Sequence, residues 1–254
     1  MKSLKIIPDL LTNSEKELIH EKSLNILQKV GIKAPYLPFL ELLEQHGAII
    51  DKHTYIAKFP KKVIQKMVDS IEKQNPPETM KKLQGNISTE IFLVDLFNKS
   101  RRLGKLEDIK KGIALVEHLS EFPTSNAVVV PSDVPSQISD VESFFQLFAY
   151  SKKPGTTYIL SPFSAEYIIE MSNVIGRPIS YGFQCLSPFQ FTTVTLQLAM
   201  LFFEKGLLAG CGPFAMSMVT SPVTPAGALL TQNAEQLACW FCNTHLNHTQ
   251  AKRM

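Results

Sequence analysis

Apolar residues recur at the spacing of a helix face in the first third of this chain and in short uninterrupted runs later. Over about residues 1–75, Ile19, Ile26, Leu27 and Val30 fall on one helical face. Thr12-x-x-Glu15 stands ahead of them as a capping box, in which a hydroxyl and a carboxylate satisfy free backbone N–H groups, and Gly31 offers the left-handed residue that closes the helix. A second helix over about 38–46 stops at Gly47, and 48–51 and 55–59 read as two short strands around a polar turn. Val63, Ile64, Met67, Val68 and Ile71 mark the face of a third helix, which Asn75-Pro76-Pro77 ends.

Residues 76–104 carry the weakest pattern: a strand over 91–94 and a turn over 98–104. From Leu106 onward the texture repeats. Helices are expected over 106–119, 137–150, 165–175 and 192–204, and a last one from Pro225 to about 240. Between them lie strands over 127–130, 157–160, 179–185 and 207–211, the first being the fully apolar run Ala127-Val128-Val129-Val130. Strand centres recur every roughly 24 to 29 residues, the period of a chain that places eight βα units in about 250 residues. The expected fold class is therefore α/β. It reads as a partial TIM (β/α)8-type barrel of about four βα units (105–238), preceded by an N-terminal helical and small-strand extension (1–104) and followed by an atypical tail (239–254). Periodicity alone does not choose between an open sheet and a closed barrel, and closure would need as many units again.

Composition adds mainly exclusions. Hydrophobic residues make up 44% and charged residues 19%, and 26 basic against 23 acidic side chains leave a net charge of +3. That balance argues against nucleic acid or a membrane surface as a partner. The N-terminus has no apolar signal-peptide core, and the apolar stretch 196–203 is too short to span a bilayer. Four cysteines in 254 residues are not a disulfide framework, so the expected compartment is the cytoplasm. A glycine-rich phosphate loop, a nucleophile elbow and an HExxH zinc motif are all missing from the sequence.

Several phrases, in order and at fixed spacing, resemble one family. They are the opening helix 17–31 (ELIHEKSLNILQKVG), Gly47-Ala48-Ile49-Ile50-Asp51, the strand and loop 128–135 (VVVPSDVP), Ile179-Ser180-Tyr181-Gly182 with Leu186-Ser187-Pro188, and 221–229 (SPVTPAGAL) with Asn233-Ala234-Glu235. Together they resemble the trimethylamine methyltransferase (MttB) family of corrinoid-dependent methyltransferases, over nearly the whole chain to about Ala238. The resemblance implies a (β/α)8 barrel that moves a methyl group from a methylated or quaternary amine, such as trimethylamine or glycine betaine, onto the cobalt of a separate corrinoid protein. The corrinoid (cobalamin) would belong to that partner. Two departures stand out. Gly85 is the only glycine where the family has a glycine-rich segment before its first barrel strand, and residues 239–254, with the polar end 247–254, replace the family's continuation. A truncated gene product is the expectation.

In a barrel the active site lies at the C-terminal strand ends. Those ends are rich in Pro, Ser and aromatic residues and poor in charge, which suits a quaternary ammonium: aromatic faces bind such a cation, each contributing about 0.5–2 kcal/mol, with an acid nearby for charge balance. Tyr181, Phe183, Phe163, Phe189 and Phe214 are the candidate cage walls and Asp133 the candidate acid. The competing reading makes the aromatics core filling and Asp133 a helix-cap or turn residue. Cys239-x-x-Cys242-x-x-His245-x-x-His248 holds zinc-type ligands, but residues three apart on a helix fan out, and no metal site is expected. Cys185 and Cys211 at strand ends read as small hydrophobes before nucleophiles. Besides an enzyme, the sequence admits a non-catalytic half barrel that self-associates as a homo-oligomer, its fourth-strand edge unpaired after 207–211. An aldolase-like barrel is disfavoured by the lack of a lysine at any strand end.

Overall fold

The computed structural model describes residues 11–70 and 84–247. They form a mixed α/β structure with eight α-helices and small sheets, none closed into a barrel. Backbone packing divides the chain into two compact units. No helix among the described residues is long and apolar enough to cross a membrane.

The first unit comprises residues 1–72, 182–200 and 209–254. Helix α1 (Asn13–Lys29) opens on the expected capping box: Glu15 N–H donates to the Thr12 hydroxyl at 3.3 Å while Thr12 N–H donates to the Glu15 carboxylate at 2.7 Å. After its last turn the chain passes through Gly31 at φ 79° into β1 (Ile32–Lys33), a short strand that the hydrophobic pattern is too brief to reveal. Helix α2 (Leu37–Gln45) stops before Gly47, and β2 (Ile49–Asp51) and β3 (Ile56–Lys58) pair antiparallel as expected. β3 is the centre of a sheet ordered β1-β3-β2, with Ile32 opposite Ala57 and Ile50 opposite the same residue. Helix α3 (Lys61–Ser70) buries Ile64 and Met67. Ile71 and the Asn75-Pro76-Pro77 stop lie outside the described residues.

Later segments complete this unit. Strand β6 (Ser180–Cys185) leads into α7 (Thr193–Glu204), and β7 (Leu208–Pro213), paired with β6, leads into α8 (Pro225–Asn247). α8 packs against α1, and Phe241 meets Phe59 edge-on at 5.2 Å. It runs about seven residues beyond its expected end because its polar side chains bind β7. Asn243 accepts from Cys211 N–H at 2.6 Å and donates to Cys211 C=O at 3.0 Å. Asn247 does the same for Ala209, at 3.2 and 2.8 Å.

The second unit comprises residues 73–181 and 201–208. Here the expected turn over 98–104 is instead β5 (Ser100–Leu103), antiparallel to β4 (Phe92–Asp95). Asp95 tightens the connection by accepting from Phe97 and Asn98 N–H, both at 3.0 Å, an Asx turn that leaves only four residues between the strands. Helices α4 (Leu106–Glu117), α5 (Ser139–Tyr150) and α6 (Pro162–Ile175) follow the predicted order, with a 3₁₀ turn at Ser136–Ile138 ahead of α5. α5 packs between α4 and α6.

The expected strands 127–130 and 157–160 do not form ladders. The first is held through single bridges, Glu90 to Val129 and Ser125 to Gly155. A ladder needs successive partners on a neighbour. Glu90 is the last partner before the chain turns into the β4–β5 hairpin, bonded to the run by its own N–H to Val128 C=O at 3.0 Å and by its C=O from Val130 N–H at 2.9 Å. The side chains still pack as the apolar run predicts: Ala127 and Val129 join Ile109, Ile113 and Leu147 in this unit's core.

Candidate functional site

The first unit gathers its chemistry where β6 and β7 end. After Cys185 the chain makes a five-residue loop closed on itself, with Leu186 N–H donating to Gln190 C=O at 2.7 Å and Gln190 N–H returning to Leu186 C=O at 3.1 Å. The Ser187–Pro188 bond is cis and Phe189 sits at φ 52°. A non-glycine residue in that region costs about 1 kcal/mol or more and persists where its surroundings hold it. Two contacts do so. Phe189 C=O accepts from Lys33 N–H of β1 at 2.9 Å, and Phe189 N–H donates to the Glu235 carboxylate, also at 2.9 Å.

Glu235, on α8, is fully buried. Its second oxygen accepts from the Ser187 hydroxyl at 2.5 Å, and the Phe214 N–H, just past β7, also faces it. Burial pushes the carboxyl above the usual carboxylate range, while the bonds from Ser187, Phe189 and Phe214 pull the other way. A third side chain of α8 joins the same region, where Gln232 accepts from Ala215 N–H at 3.2 Å.

Of the candidate cage residues, Phe183, Phe189 and Phe214 belong to this unit. The Phe189 ring is half-buried and Phe214 is 48% exposed, whereas Phe183 is buried with its ring 5.6 Å from that of Phe191. Asp133, Phe163 and Tyr181 belong to the other unit. Asp133 is exposed and accepts from Leu106 N–H at 2.9 Å, capping the first turn of α4. Phe163 lies in the first turn of α6, 68% exposed and edge-on to Tyr167 at 5.1 Å. Tyr181 is buried 5.4 Å from Phe202, and burial pushes its phenol to about 12.

The four cysteines, one at the end of β6, one inside β7 and two in α8, are buried free thiols. Cys185 and Cys211 both lie against Cys239, and Cys211 also against Cys242. The Cys239 contact and burial push the Cys185 thiol up, and burial does the same to Cys211, so neither is a ready thiolate. His245 stacks on His46 with ring centres 3.8 Å apart, and His248 lies outside the described residues. Among the described residues no three His, Cys, Asp or Glu side chains are arranged to hold a metal ion.

Two fully buried carboxylates escaped the candidate set. Glu235 is one. The other is Asp140 in the second unit, which accepts from Leu160 N–H at 2.7 Å and the Ser164 hydroxyl at 2.5 Å. Glu235 carried a signal, since it sits in the Asn233-Ala234-Glu235 phrase inside an otherwise apolar helix face. Asp140, in a Ser-Asp-x-Glu helix start, looked like an ordinary N-terminal acid.

The profile of the trimethylamine methyltransferase (MTTB) family matches residues 5–247. The chain belongs to that family. It is 23% identical over 256 residues to a glycine betaine methyltransferase of Desulfitobacterium hafniense (strain Y51), an alignment covering 91% of this chain and 52% of the relative. To a trimethylamine methyltransferase MttB of D. hafniense (strain DSM 10664 / DCB-2) the identity is 22% over 249 residues, with coverage of 88% and 50%. A proline betaine:corrinoid methyltransferase of Eubacterium limosum is 22% identical over 260 residues, with coverage of 90% and 52%. The chain thus spans about half the length of these relatives.

Proposed function

We propose that this chain acts in methyl transfer of the MttB type, binding a methylated or quaternary amine (trimethylamine, glycine betaine or a similar betaine) and presenting its methyl group to a corrinoid protein. The observation that carries this reading is the family match across residues 5–247, together with relatives named for methyl transfer from such amines. The βα repeat is read in the same way, as the first four units of a (β/α)8 barrel, with its functional end where β6 and β7 finish.

The corrinoid would arrive on the partner and supply the methyl acceptor. The work left to this chain is to bind and orient the amine and to keep water from it. As the methyl group leaves, the C–N bond breaks with its electron pair left on nitrogen, so the cation becomes a neutral amine. Aromatic faces and a buried carboxylate therefore favour substrate over product. Phe189, Phe214 and Glu235 support the reading on that ground, and Asp133, Phe163, Tyr181 and Phe183 remain candidates to contact the amine.

The test uses the full chain with trimethylamine, glycine betaine and proline betaine, each with a corrinoid protein in its reduced state. Demethylated amine is read by mass spectrometry and binding by calorimetry, with size-exclusion chromatography reporting the oligomeric state. Turnover or saturable binding of any of the three supports the proposal. A folded, monodisperse chain that binds and demethylates none of them overturns it in favour of the non-catalytic half-barrel reading.

A further inference from the structure

We infer that Glu235 is the positioning residue that sets Phe189 and Phe214 in register to receive a quaternary ammonium group, an inference that rests on the amine-binding role proposed above. The two aromatics sit on separate loops, after β6 and after β7, and α8 holds both loops: Glu235 accepts from Phe189 N–H at 2.9 Å, and Gln232, one turn earlier, accepts from Ala215 N–H, next to Phe214, at 3.2 Å, with the Phe214 N–H facing the Glu235 carboxylate. The Ser187 hydroxyl donates to the second Glu235 oxygen at 2.5 Å, from the same loop as Phe189. A carboxylate on a third element, set against both loops, fixes the two rings relative to each other.

The carboxylate form is the one this geometry uses. The Ser187 hydroxyl and the Phe189 N–H each bond a different oxygen, whereas an amide in the same place offers one acceptor oxygen and turns an NH₂ group toward the other donor. The loop also holds Phe189 at φ 52°, a conformation that the loop keeps only while Lys33 and Glu235 grip it from two sides. Leaving the Glu235 acid without its donors would strand a buried charge, so the clamp and the acid stabilise one another. Cys239, one turn further along α8, and Cys185, at the end of β6, are titratable side chains whose charges reach Glu235.

The test combines a titration with a binding cycle on the full ¹⁵N-labelled chain. In the unmutated protein the Phe189 and Phe214 amide resonances are expected to move with pH along one shared midpoint, and Glu235→Gln should abolish both movements. Tetramethylammonium binding should weaken about tenfold in Glu235→Gln. Adding that change to a Phe189→Leu/Phe214→Leu variant should weaken binding no further, because a residue acting only through the two rings has nothing left to position. A merely structural acid would lower stability without producing that non-additivity. Separate midpoints for the two amides, or fully additive losses in the cycle, overturn the positioning role. A shared midpoint in a chain that binds neither tetramethylammonium nor glycine betaine overturns the amine-binding reading, and this inference falls with it.

Discussion

At the scale of single residues, the acids show how little a side chain's role follows from its type. Asp133 and Glu235 both accept backbone N–H groups, yet one lies in solvent at a helix start and the other is fully buried between two loops. A third acid, Asp108, has a measurable signature. Its carboxylate takes a bidentate pair of bonds from Arg102, at 2.7 and 2.8 Å, and a further bond from Lys105 N–H at 2.9 Å. The Arg102 bond is the main reason its pKa falls from 3.8 to about 2. A carboxyl lowered on folding stabilises the protein above its ordinary value, and the contribution is lost as pH falls from about 4 to about 2. Because Arg102 is half exposed, solvent screening limits this to about 1 kcal/mol. The difference in urea-unfolding free energy between wild type and Asp108→Asn should therefore be largest near pH 6 and shrink toward zero by pH 2. A difference that stays constant over that range would show that the pair is not the source.

At the scale of elements, the helices were legible because their signals are local. The Thr12–Glu15 box, the prolines and Gly31 each act within one turn, and α1 through α8 appear where the hydrophobic period places them, with ends shifted by a few residues. Gly31 and Gly176 separate two costs that sequence alone merges. Both are left-handed, at φ 79° and 66°. A Cβ on Gly31 would strike the Ala57 carbonyl oxygen of β3, while one on Gly176 meets nothing within 4 Å. Gly176→Ala should lose about 1 kcal/mol, the conformational cost alone. Gly31→Ala should lose about 3 kcal/mol or more, because β1 must also move off β3, and the urea midpoints of the two variants measure the contrast. What the sequence did not reveal was set by partners distant along the chain. Ala127-Val128-Val129-Val130 has the composition of a buried strand and the burial of one, but its pairing ends at Glu90, the single residue bridged to it. Likewise, the apolar face of α8 was visible, whereas Gln232, Glu235, Asn243 and Asn247 acquire roles only once β6 and β7 lie beside it. The aromatic candidates were chosen by position at strand ends. That criterion does not reach Glu235, whose place against the Phe189 loop depends on α8 lying beside β6.

For the molecule as a whole, the sequence raised one hazard: a fourth strand with nothing beside it, open to pairing with another chain. β7 pairs with β6 on one side, and the backbone groups of Ala209 and Cys211 are taken by the side-chain amides of Asn247 and Asn243. The spacing matches because four residues of helix rise about 6 Å and two residues of strand advance about 6.6 Å. Each asparagine offers one acceptor and one donor, as a neighbouring strand residue would. α8 thereby serves as a surrogate edge partner over the residues that a further strand would otherwise cover. If so, Asn243→Leu/Asn247→Leu keeps the size of the side chains and raises the helix propensity of α8 but leaves two N–H and two C=O groups of β7 without partners. Each group left buried and unpaired costs about 1 kcal/mol or more, so the double variant should be destabilised by several kcal/mol in urea. At concentrations where wild type remains at its native size, the variant should also self-associate, with light scattering after size-exclusion chromatography reporting the larger species. Loss of stability without any change in association would mean that the amides only fasten α8. Association at wild-type stability would mean that they act only as an edge guard. The paired hydrogen bonds at Ala209 and Cys211 require both effects together.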